Sequence, residues 1–117
     1  MDETLRTELC AAGVDVDGTL NRFMNNEALL TKFLKKFIAD QNMAALRKAI
    51  AARNYQEVLP AAHTLKGVCG NLGFTALYDI FSKMCQACRS EQFDGLDGLM
   101  AQAESHYGQI IKVIAAI

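Results

Sequence analysis

The sequence predicts an all-α fold: an antiparallel up-down four-helix bundle with short additional N-terminal helices. Three observations carry that expectation. Apolar residues recur at spacings of three and four through most of the chain, the period of helices that bury one face. Proline occurs once, at Pro60, and β-branched residues do not cluster into strand-like runs. The connections between the longer periodic segments are short, so successive helices must turn back on one another.

Taken in order, Asp2 to Ala12 forms a short opening helix, with acidic residues early and Gly13 as its stop. Leu5 and Leu9 are its few apolar positions, which makes it peripheral. Asp15 or Asp17 caps a second short helix carrying Leu20, Phe23 and Met24. Asn25 and Asn26 end that helix and cap the next. From Glu27 to Ala39 the residues Leu29, Leu30, Phe33, Leu34, Phe37 and Ile38 recur at helical spacing, and Lys32, Lys35 and Lys36 between them face water.

Asn42 restarts a shorter helix carrying Met43, Leu46 and Ile50. Asn54 then caps the helix that contains the single proline, and Glu57 three residues on fits a capping box. Pro60 removes a backbone donor inside this helix and is expected to bend it. A helix from Phe74 to about Ser90 buries Leu77, Ile80, Phe81, Met84 and Cys88. The last helix runs from about Asp94 to Ile117, with Leu96, Leu99, Met100, Ala103, Tyr107, Ile110, Ile111 and Ile114 inward.

The 117 residues, half of them hydrophobic, are enough for one domain with one core, spanning 1–117. The formal net charge of −1 argues against a nucleic-acid grip, which wants a strongly basic face. No apolar run approaches the length of a membrane span, and the opening Met-Asp-Glu-Thr-Leu-Arg lacks the regions of a signal peptide. A cytoplasmic location without membrane insertion is expected. Cys10, Cys69, Cys85 and Cys88 lie on helical patterns and read as free thiols. Cys85 and Cys88 form a C-x-x-C, but deep in a helix and without a second pair, so they read as packing residues.

The stretch from Asn54 to Gly73 holds the candidate chemistry. On a helix advancing about 100° per residue, Val58, Ala62, Leu65, Cys69 and Leu72 draw one apolar stripe. His63 then falls roughly 140° around from Val58, with Gly70 at about 120° and Gly67 at about 180°. Glycine inside a helix costs roughly 0.5–1 kcal/mol relative to alanine, so two of them beside an exposed histidine weaken the helix and open a clearing for a large partner. Lys66, at about 80°, can bury its stem and aim its ammonium toward the imidazole. His106 has no such setting and reads as a surface or partly packed histidine. No Walker-type glycine loop and no cluster of carboxylates around His63 is present, so neither nucleotide nor metal binding is expected.

The run His63-Thr64-Leu65-Lys66-Gly67, followed by Gly70 and Gly73, resembles the histidine-containing phosphotransfer (HPt) domain, a relay module of multistep two-component signalling. The likeness extends upstream through Gly13–Phe23 and Asn26–Phe37 and downstream from Leu77 to Arg89, covering roughly residues 13 to 115. The resemblance implies that His63 accepts a phosphoryl group from a receiver-domain aspartyl phosphate and passes it to another receiver. It also implies that Lys66 neutralises the phosphoryl oxygens and that Gly67 leaves room for the group. The attacking atom in the family is Nε2. Mg2+ and the acidic pocket would come from the receiver, none being bound by this chain, and no ATP-dependent kinase activity is expected. The partners implied are response-regulator receiver domains or a hybrid sensor histidine kinase, met by a monomer through Gln56, Pro60, Thr64, Gly70, Cys85 and Gln86. The other reading is a phosphorylation-independent helical adaptor that binds receivers through the same face.

One departure from the family pattern stands out. Where the family often has a Glu or Gln that hydrogen-bonds the active imidazole, this chain has Cys85, a weak donor and acceptor. Gln86 is adjacent but rotated by about 100°, so orientation of the ring would fall to water or another neighbour.

Overall fold

A computed structural model describes all residues 1–117. Seven helices follow one another: α1 (Glu3–Ala11), α2 (Val16–Arg22), α3 (Glu27–Ile38), α4 (Asn42–Ala51), α5 (Tyr55–Leu72), α6 (Thr75–Arg89) and α7 (Leu96–Ala115). No strand forms; Val14 and Phe74 make an isolated bridge. No helix is long and apolar enough to cross a membrane.

The helix starts follow from local chemistry. Side-chain oxygens of Asp2, Asp15 and Asn26 accept the amides of Thr4, Gly18 and Leu29, satisfying donors that a helix N-terminus leaves orphaned. Of the two aspartates offered for α2, Asp15 is the cap, and Asp17 pairs with Arg6 of α1. The capping box expected at Asn54 and Glu57 does not form, because the Asn54 side chain makes no capping bond. Its backbone carbonyl takes the amides of Glu57 and Val58 instead, at 3.1 and 3.3 Å.

Helices α3 and α4 lie end to end and form one rod of a four-rod bundle. Phe37 on α3 meets Tyr107 of α7 edge-on, Arg47 on α4 pairs with Glu104, and Arg53 just beyond α4 pairs with Asp97. The partners on α7 fall in number as the rod advances, which makes the two antiparallel. Helices α5, α6 and α7 are the other rods, with α5 packed on both α4 and α6, and α6 on α7. The molecule is 43 Å long and 23 by 21 Å across.

Several apolar positions expected to face inward do not. Leu29 and Ile38 are 37% and 41% exposed, so the buried stripe of α3 narrows to Leu30, Leu34 and Phe37. Met24 lies beyond the end of α2 at a positive φ of 55° and is 90% exposed, outside any core. Only its neighbour Phe23 turns inward, stacking on Phe33 at 5.5 Å between ring centroids. On α6 the core face includes Cys85, while Cys88 is only half-buried.

The N-terminal segment straps the turn between α5 and α6. The Asp15 amide donates to the Gly73 carbonyl at 2.9 Å, Thr75 Oγ1 to the Gly13 carbonyl at 3.2 Å, and Arg22 Nε to the Asn71 carbonyl at 3.2 Å. Gly73 ends α5 in the left-handed region at φ +76°, and a Cβ there would fall 2.1 Å from Thr19 Oγ1 and 2.8 Å from the Asp15 carbonyl oxygen. Conformation and space both demand glycine at this turn.

Candidate functional site

Helix α5 turns one face to the core and the opposite face to solvent. Val58, Ala62, Leu65, Cys69 and Leu72 are buried at the spacing that predicts it, joined by Ala61. Along the other side run Gln56, Pro60, His63 and Gly67, all exposed, with Thr64 beside them and Gly70 half-buried at the seam with α6. His63 thus stands near the middle of α5, pointing out of the bundle.

The two glycines of this face serve different ends. A Cβ at Gly67 would meet nothing within 4 Å. Packing within the chain therefore does not require glycine there, and the space it leaves is open to something outside. A Cβ at Gly70 would come within 3.1 and 3.2 Å of Cδ2 and Cε2 of Tyr78. Gly70 is the gap through which an α6 ring approaches α5.

Lys66 is half-buried, its Nζ 5.7 Å from the centroid of that ring. The chain's four ion pairs all lie elsewhere, so the ammonium is committed to no carboxylate. Sequence pattern aims it at the imidazole and gives no hint of Tyr78. Only the register between α5 and α6, which sets Tyr78 opposite Gly70, brings the ring there.

No side-chain hydrogen bond within the chain reaches His63. Thr64 turns its hydroxyl back to the Pro60 carbonyl at 3.0 Å, a bond within the helix. Pro60 sits inside α5 and deprives the Gln56 carbonyl of its helical donor.

Cys85 has no exposed area, so it cannot touch a partner, and its place among the docking residues is corrected. Burial pushes its thiol up from the ordinary range, while Arg89 and Lys66 act in the opposite direction. Gln86 is exposed. No three His, Cys, Asp or Glu side chains gather where they could hold a metal ion.

A family model described as the Hpt domain matches residues 29–115. The chain belongs to the Hpt domain family. Neither a curated protein nor a solved structure matches it. The Hpt domain begins inside α3 and ends with the last residue of α7, so α1 and α2 lie outside the matched region. Membership gives the chain a general role in phosphorelay signalling, where Hpt domains work with receiver domains and histidine kinases.

Proposed function

We propose that His63 is the phosphoacceptor of a relay between two receiver domains. The observation that carries this reading is the pairing of an exposed imidazole on mid-α5 with open surface at Gly67 and an uncommitted ammonium at Lys66. Imidazole, with an ordinary pKa of about 6.5, offers an unprotonated nitrogen near neutral pH. Its Nε2 lone pair forms the N–P bond as the P–O bond to the receiver aspartate breaks. The carboxylate leaves with the bonding pair, and Nδ1 keeps its proton. A second receiver aspartate reverses the step. The histidine splits one transfer into two easier ones.

Lys66 moves onto the phosphoryl oxygens as charge builds there. Gly67 keeps the approach clear for the receiver. That receiver docks on the face formed by Gln56, Pro60, Thr64, Gly70 and Gln86, and it supplies the Mg2+ and the acidic pocket. ATP is not the donor, and the chain works as a monomer. Residues 1–117 act as one unit, a reading supported by burial of Leu9 in the core and by the strap across the α5–α6 turn.

The test is a complete relay. A receiver phosphorylated at its aspartate is mixed with the chain and with a second receiver. The label must reach the second receiver only when the chain is present and must be blocked by His63→Gln. Receiver binding that persists in the His63→Gln variant, with no label carried by the wild type, would instead establish the adaptor reading.

A further inference from the structure

We infer that Tyr78 is a positioning residue for Lys66, holding its ammonium on the α6 side of His63. The inference rests on the proposed role of His63. Two independent observations carry it. The ammonium stands 5.7 Å from the Tyr78 ring centroid, within the reach of a cation–π attraction. The ring approaches this closely because Gly70 has no Cβ, which would otherwise stand 3.1 Å from Cδ2.

A lysine on an exposed helix face has a flexible four-carbon stem and a strongly hydrated head. Left alone, it samples solvent and must be collected each time a phosphoryl group arrives. Here no carboxylate holds it, which would neutralise it, and the face of an aromatic ring holds it without cancelling its charge. Tyr78 is 39% exposed, so its ring borders the open face and is not locked in the core. The ammonium is therefore held at the seam between α5 and α6. A phosphoryl group on Nε2 of His63 meets the ammonium from that direction. Tyr78 shortens the search for the productive lysine arrangement without touching the reacting atoms.

The experiment compares the wild type with Tyr78→Phe, Tyr78→Leu, Lys66→Met and the double variant Lys66→Met, Tyr78→Leu. Single-turnover transfer from a phosphorylated receiver is followed at increasing receiver concentration. Tyr78→Leu is expected to lower the maximal transfer rate about two- to five-fold, the range a partly exposed cation–π contact allows, with half-saturation unchanged. Tyr78→Phe keeps the ring and retains the wild-type rate. In the Lys66→Met background, Tyr78→Leu has no further effect. Proton NMR supplies a readout free of phosphate chemistry: an upfield ring-current shift of the Lys66 ε-methylene, present in the wild type and Tyr78→Phe and lost in Tyr78→Leu.

Wild-type rates in Tyr78→Leu would overturn the inference, as would a loss in Tyr78→Phe equal to that in Tyr78→Leu. A penalty that persists without Lys66 would also overturn it. A wild-type chain that takes no phosphoryl group overturns the proposed function and the role of Tyr78 with it. Normal transfer without any ring-current shift overturns the positioning role alone.

Discussion

Gly70 and Tyr78 are fitted to each other across the seam between α5 and α6: the ring carbons stand 3.1 and 3.2 Å from where a Gly70 Cβ would lie. One turn earlier on the same helix, Gly67 faces nothing at all. Two glycines that look alike in the sequence thus differ in setting, one fitted to a neighbour inside the chain and one facing open space.

That difference yields the first prediction. Gly67→Ala is expected to raise stability by about 0.5–1 kcal/mol, the ordinary helix-propensity gain at a site with room for a methyl group. It is expected to slow phosphoryl transfer, because the methyl group intrudes on the partner's approach. Gly70→Ala is expected to gain less stability, since Tyr78 must give way. Urea unfolding and single-turnover transfer on both variants check the pair.

Gly73→Ala is expected to destabilise the chain by about 1–3 kcal/mol, because a residue with a Cβ would be strained at this left-handed turn. Its methyl group would also collide with Thr19 and Asp15, loosening the N-terminal strap. Thermal unfolding measures the loss. Transfer per folded molecule should be unchanged, since His63 lies more than two turns away along α5.

The cysteines predict an alkaline limit. Burial pushes the Cys69 and Cys85 thiols up from their ordinary range. A raised thiol pKa means the folded state holds a proton that the unfolded state has released. Stability is therefore fully present below the unfolded thiol value of about 8.5 and falls above it by up to about 1.4 kcal/mol per pH unit for each thiol. Cys69→Ala should reduce that slope in unfolding curves collected from pH 7.5 to 10. At neutral pH a thiol reagent should modify exposed Cys10 first and leave Cys69 and Cys85 untouched until the chain unfolds.

Much of the fold was legible because helix period and core burial report the same face. The stripe from Val58 to Leu72 needed only spacing. Asn26 as a cap needed only residue type, which for α2 left Asp15 and Asp17 open until the fold paired Asp17 with Arg6. Met24 was misplaced because its left-handed backbone, which takes it out of the helix, leaves no trace in the apolar pattern. The capping box at Asn54 failed for a related reason: side-chain type was right, but backbone carbonyl bonds satisfied the first turn instead. Cys85 and Cys88 were exchanged because both fit an inward face until the crossing with α5 fixes the rotation of α6.

The site divides along the same line. His63, Lys66 and Gly67 form one local run, so their shared face could be read from helical geometry. Tyr78 belongs to another helix. Its approach depends on the α5–α6 register, which is tertiary information that a local pattern does not carry.

The most direct test of the central claim is to locate the phosphoryl group itself. The chain is phosphorylated from a receiver, digested under mildly alkaline conditions and mapped by mass spectrometry, beside a His63→Gln control. The prediction is an acid-labile, alkali-stable phosphoramidate on the peptide containing His63, absent from the control. Modification at any other residue, or equal labelling of the His63→Gln chain, would contradict it.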